Sequence, residues 1–249
     1  MTEQAPLNVY WSPCVPPEQG FTNQWNMLYP EPKTLMSELM YIKNPNRGNK
    51  NYFVCPAASS SFKTTYVFYN GLESHYSYDF SDDNNPIVTP QSDTYLGYNI
   101  MRPPTTVGHP MVDISLRYIF FCEEPLMALF TPPYFSKPRY LNYGTLAPGR
   151  YDIGSWFRPF NTEFHLWDIK GDLILEEEEP LFYLTLETDR PVNLHRFELS
   201  EKLSSYVQHC VDAPTWQGYN LPLVKRYKTF KRSNMDKLVL KEIKENLIT

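Results

Sequence analysis

The chain holds five histidines, and three residues around two of them have the types and spacing of a metal centre. Glu163 and His165 lie two apart in a run with strand character, so their side chains share one face. His195 follows with two expected strands in between. Two imidazoles and a carboxylate are the set that holds divalent iron or manganese in oxygenases, with open positions for substrate. Two spacings argue against it. A cupin pattern needs His-x-His with a following Glu and an oxygenase pattern needs His-x-Asp, whereas His165 and Asp168 are three apart and face opposite sides of a strand. A half-buried imidazole satisfied by backbone or Tyr hydroxyls is the commoner outcome. The expectation is therefore no cofactor, with an iron or manganese enzyme as the alternative.

Three other groups invite chemistry. His75 and Asp79 share a strand face, but at four residues apart their Cβ atoms stand about 13 Å from each other, beyond acid–base contact. Glu176 to Glu179, followed by Pro180, read as a solvated turn between strands. Lys225, Arg226, Tyr227, Lys228, Phe230, Lys231 and Arg232 interleave cations with aromatics, the composition of a patch that tracks a phosphate backbone or docks a partner. The same composition suits a connector whose aromatics pack. Residues 201–249 hold nine Lys or Arg against five Asp or Glu, while the whole chain is −5, so the acidic body argues against broad nucleic-acid binding.

No G-x-G-x-x-G, Walker-type loop, G-x-S-x-G, H-E-x-x-H or calcium loop occurs, which removes the common nucleotide and hydrolase signatures. Cys14, Cys55, Cys122 and Cys210 form no C-x-x-C pair and read as small buried hydrophobes. With no cationic leader followed by an apolar stretch, no Asn-x-Ser/Thr sequon and no apolar run near ~20 residues, the expectation is a reducing cytoplasm, without secretion or membrane insertion.

Aromatics make up 16% of the chain, which favours half-buried pleated surface, and 23 prolines against 10 glycines favour stiff, ordered loops. Strands are expected at Tyr52–Cys55, Leu116–Cys122, Leu126–Thr131, Glu163–Asp168, Leu173–Leu175, Leu181–Glu187 and Pro191–His195. Thr64–Tyr69, Asn70-Gly71 and Leu72–Phe80 read as a hairpin with a type I′ turn, its return strand having His75, Ser77 and Asp79 on the wet face. Lys170-Gly171-Asp172 reads as another tight connection. Helices are expected at Lys33–Lys43 and after the caps Ser200 and Ser233. The spacing predicts one all-β domain over 1–249: an irregular arm and short helix in 1–50, an antiparallel sandwich in 51–199 and a helical extension in 200–249. The helix from Ser233 carries Met235, Leu238, Val239, Leu240, Ile243, Leu247 and Ile248, an arc wide enough to predict a homodimer through 233–249.

Several blocks resemble an uncharacterised family of proteins from large tailed bacteriophages, marine and cyanobacterial ones among them. They are Tyr29-Pro30-Glu31-Pro32, Val54-Cys55-Pro56-Ala57 and Trp156-Phe157-Arg158-Pro159-Phe160, continuing through Phe164-His165-Leu166 and Glu177 to Leu181-Phe182-Tyr183-Leu184. The resemblance implies viral origin and a jelly-roll-like fold, with no known activity, and the strand and helix signals themselves predict a jelly-roll or cupin-like sandwich with two to three peripheral helices. With that viral origin, the absence of catalytic motifs and the many Tyr, Trp and Pro lead to the expectation of a non-enzymatic phage protein, a virion component or host-interaction factor, residing in the virion or the host cytoplasm.

Overall fold

The structure, a computed structural model, describes residues 5–14, 29–41, 56–82, 85–91, 97–101, 109–212 and 223–248. Along the chain run β1 (Leu7–Pro13), β2 (Lys33–Thr34), α1 (Leu35–Tyr41), α2 (Pro56–Lys63), β3 (Thr65–Tyr69), β4 (Ser74–Asp79), β5 (Ile87–Pro90) and β6 (Tyr98–Met101). Then come β7 (Met111–Cys122), β8 (Met127–Thr131), β9 (Gly144–Leu146), β10 (Gly149–Asp152), β11 (Pro159–Leu166), β12 (Lys170–Leu175), β13 (Pro180–Leu186) and β14 (Val192–Arg196). The last elements are α3 (Glu201–Asp212), α4 (Leu223–Arg232) and α5 (Met235–Glu245).

The fold is an all-β sandwich. Sheet A has the order β14-β1-β7-β11-β9 with β6 also on β7, sheet B the order β10-β8-β13-β3-β2, and sheet C the order β12-β4-β5. Strand β7 shows why they stack: Val112, Ile114, Leu116, Tyr118, Phe120 and Cys122 point one way into a core shared with sheets B and C. Ile119 and Phe121 point the other way, into a second cluster built with α3, α4 and α5. At the centre Phe68 and Phe182, opposite each other on β3 and β13, stack at 4.8 Å, with Tyr118 edge-on to both.

Several expectations are corrected. The N-terminal arm contains β1, which lies inside sheet A between β7 and β14, with Trp11 fully buried. Its pairing with β14 is parallel, so the sandwich is not wholly antiparallel. Five helices are described, where two to three were expected. The segment from Thr64 to Phe80 is not a hairpin: β3 pairs with β13 and β4 with β12, so two long antiparallel strands bend together from sheet B into sheet C. Asn70 and Glu176 to Glu179 form that corner. Asn70 donates its backbone N–H to the Glu179 carbonyl at 2.8 Å and its amide to the Leu72 and Glu176 carbonyls, and Glu178 takes a φ of 62°. Lys170-Gly171-Asp172 lies within β12 rather than in a turn. The expected strand Tyr52–Cys55 lies outside the described residues.

Other readings hold. The β4 burial pattern alternates as expected, and Ser200 caps α3, its Oγ accepting the Leu203 N–H at 3.2 Å. Helix α1 falls within the expected span, with Thr34 Oγ1 accepting the Ser37 N–H. Ser233 is not the cap of α5: Asn234, at φ 54°, precedes that helix, and the Ser233 hydroxyl donates back to the Thr229 carbonyl. Cys14, Cys122 and Cys210 are buried free thiols, with burial pushing Cys14 and Cys210 up to about 12, so they behave as apolar side chains. No helix among the described residues is long and apolar enough to cross a membrane.

Candidate functional site

The proposed metal ligands are not brought together. Glu163 and His165 sit on β11 and His195 on β14, with β1 and β7 between them. His165 registers with Met111, whereas His195 registers through Tyr10 with Phe121 near the other end of β7. Strand rise along β7 and three strand spacings place the two imidazoles roughly 30 Å or more apart. His195 instead bonds Asn8 Oδ1 at 2.9 Å and stacks on Tyr10. Among the described residues no three His, Cys, Asp or Glu side chains gather as a metal site requires.

Glu163 has a neighbour that the sequence did not reveal. Asp113, 2% exposed, lies directly opposite it on β7, and burial raises the Asp113 carboxyl above the usual carboxylate range while Arg117 at 3.5 Å opposes the rise. Register alone creates that pair. His75 and Asp79 stay apart as expected: His75 pairs with Asp172 at 2.8 Å and Asp79 with Lys170 at 2.7 Å.

The cationic segment folds as α4, and the helical period sorts its residues. Phe230 is buried against Phe121 and Trp156, and half-buried Tyr227 packs on Trp156 at 4.9 Å. Lys225, Lys228 and Arg232 form an exposed stripe at spacings of three and four. Lys231 binds Asp236 at 3.3 Å, and Arg226 is half-buried. Of the two readings of this segment, the packing of its aromatics is the one seen: both rings lie against the body and not open between the cations.

Tyr227 has a second role as one wall of a cleft of about 160 Å³, completed by Tyr151, Asp152, Ile153, Trp156, Arg158 and Phe160. A tight turn makes this possible. Asp152 Oδ1 accepts the Gly154 N–H at 3.0 Å, and a Cβ at Gly154 would stand 1.9 Å from the Glu124 carbonyl oxygen, so only glycine lets the turn close on the β7–β8 connection. From there the Trp156-Phe157-Arg158-Pro159-Phe160 block divides between two cores. Trp156 and Phe157 go under the helices, while Phe160 enters the inner core and stacks on Tyr151 at 4.1 Å. Arg158 is left between them, half-buried, and among the described residues it forms no ion pair with Asp152 or any other acid.

Burial raises the Tyr151 and Tyr227 hydroxyls, so both are neutral donors at physiological pH. Both Arg158 and Asp152 act on Tyr227, the first lowering and the second raising it, which places a cation and an anion around one ring. The cleft thus offers ring faces for stacking, and a guanidinium and a carboxylate as opposite-sense hydrogen-bonding groups. In the sequence, Trp156–Phe160 and Lys225–Arg232 stand out as separate motifs, while Tyr151 and Asp152 carry no signal of their own. The i, i+3 spacing of Tyr227 and Phe230 was the one signal that α4 lays its aromatics against another segment.

No family model, no curated protein and no solved structure matches the chain.

Proposed function

We propose that this chain is a non-enzymatic binding protein of a tailed phage, a virion component or host-interaction factor, and that its working surface is the cleft between the Tyr151–Phe160 segment and α4. The observation that carries the reading is the composition of that cleft. Tyr151, Trp156, Phe160 and Tyr227 are rigid rings that lose little entropy on contact, and Arg158 stands beside them without an acid partner among the described residues. The phage and jelly-roll parts of the proposal rest on the sequence resemblance.

The test is a photo-crosslinking residue placed at Lys228 in infected cells, with a control at Thr89 on sheet C. The reading expects one defined adduct from position 228, none from 89, and the chain's presence in purified virions or in that adduct. Equal yields from both positions would overturn it.

The proposed homodimer through 233–249 has little surface left. Val239 and Ile243 are buried in the chain's own core, leaving Leu238, Leu247 and Ile248 exposed. Three side chains are small against the ~800 Å² per partner of a stable interface. Any such dimer is weak, and light scattering across the micromolar range would show a mass rising with concentration.

A further inference from the structure

The chemistry of the cleft narrows its occupant, given that the cleft is the working surface proposed above. At about 160 Å³ it matches the order of an apolar cavity of ~150 Å³ that admits benzene, so it holds one ring system and no folded element. A plain phenyl or aliphatic group would desolvate Arg158 and Asp152 without giving either a partner. A heteroaromatic ring whose edge carries both donors and acceptors satisfies all the walls at once: its faces meet the aromatic rings, and its edge meets a guanidinium and a carboxylate. That combination is how proteins read an extruded or unpaired nucleobase.

The surroundings agree with this occupant. Helix α4 has five cations and no acid, and its exposed stripe of Lys225, Lys228 and Arg232 lies on the outer side of the helix, roughly 100–160° round from Tyr227. Lys225 and Arg226 stand in the N-terminal part of α4, where the helix dipole disfavours positive charge, so they do not serve the helix itself. An external chain of phosphates would relieve that arrangement. A strand with one base in the slot would reach that outer side within a nucleotide or two, and aromatic slots combined with cations that take the flanking phosphates are the general design of single-strand binding surfaces.

We infer that the cleft takes an unpaired base of single-stranded nucleic acid, stacked among Tyr151, Trp156 and Tyr227 with its edge on Arg158 and Asp152, while Lys225, Lys228 and Arg232 follow the phosphates. The net charge of −5 restricts this to a local footprint and sets the sequence-based expectation against nucleic acid aside only here.

Fluorescence anisotropy of the full chain tests it, using a labelled short single strand, the same sequence as a duplex, and a labelled polyglutamate peptide. The single strand should bind at least about tenfold more tightly than either, with quenching of tryptophan emission. Changing Lys225→Glu, Lys228→Glu and Arg232→Glu together should cost more than about tenfold and flatten the slope of log affinity against log salt by about two, at roughly 0.7 per phosphate contact. Arg158→Gln should cost about tenfold and leave that slope nearly unchanged. Asp152→Asn, which keeps the Oδ1 acceptor for Gly154, gives a second probe of the base edge should Arg158→Gln fail to fold. Single-strand binding that ignores Arg158→Gln and Asp152→Asn, or duplex binding as tight, would overturn the base slot. Polyglutamate binding alone, lost in Arg158→Gln, would replace the base with an acidic protein segment and leave the proposed function standing. No binding by any probe, with no crosslink at position 228, would remove both.

Discussion

Two outer faces of the sandwich are treated in opposite ways. On sheet A, Tyr10, Ile119 and Phe121 point away from the inner core, yet α3, α4 and α5 cover them so well that none is more than 3% exposed. On sheet C the outward residues are His75, Ser77, Asp79, Lys170 and Asp172, with His75 paired to Asp172, Lys170 to Asp79, and Ser77 accepting from Gln91. The lesson is that the helices are a consequence of strand composition: apolar outward residues require a roof, whereas an outward ladder of ion pairs requires none. The cleft lies where that roof meets the turn after β10, so it exists only because sheet A is covered.

The largest expected effect is on the roofed face. Phe121→Ala removes a ring that touches Phe157 and Phe230, and should cost about 3–5 kcal/mol by the cavity it leaves. Urea denaturation followed by circular dichroism would read it, and a loss below about 1 kcal/mol would mean that the helices do not depend on the sheet beneath them.

A smaller effect comes from the tie between roof and sheet. Glu123 accepts from Lys244 of α5 at 2.6 Å and from the Tyr10 hydroxyl at 3.2 Å, and these contacts, Lys244 first, hold its carboxyl below the usual range. A depressed acid adds stability that is present above its unfolded pKa and lost as pH falls through the folded one. Stability should therefore drop on acidification from the ordinary carboxylate range downwards. Solvent screening limits Glu123's share to about 1 kcal/mol or less. Glu123→Gln should lower stability at neutral pH and flatten this acid slope. An unchanged slope would show that the tie contributes nothing.

The least effect belongs to the bare face. His75→Ala removes an exposed partner of Asp172 and should change stability by less than about 1 kcal/mol, as surface pairs do. A larger loss, read by thermal melting, would mean that sheet C is covered by something after all.

How much of this was legible follows from the range of each signal. Alternation in β4 and the cap at Ser200 are local and could be read directly. Strand β1 could not: Pro13 and the prolines after it suggest an irregular arm, and only long-range pairing with β7 and β14 makes Leu7–Pro13 a strand. The hairpin misreading has the same cause. Alternating residues either side of Asn70-Gly71 fit a tight turn and a bent ribbon equally well, and the partner strand β12–β13, a hundred residues on, decides between them. Glu163 and His165 do share a face as spacing requires, but sheet order, invisible in spacing, sends His195 to the far side. The cleft joins residues 151–160 to residue 227, so its parts were visible as motifs and their meeting was not.

The central claim, that the working surface lies under the roof of sheet A and not on its open counterpart, has a direct measurement in the indole N–H signals of a proton–nitrogen NMR spectrum. Trp156 lines the cleft, while Trp167, on the segment entering β12, stands 46% exposed with its indole bonded to the Leu141 carbonyl. Each signal is assigned by its Trp→Phe variant, and a short single-stranded oligonucleotide is then titrated in. The account predicts that the Trp156 signal shifts progressively and saturates while that of Trp167 stays fixed. A shifting Trp167 with an unmoved Trp156 would contradict it.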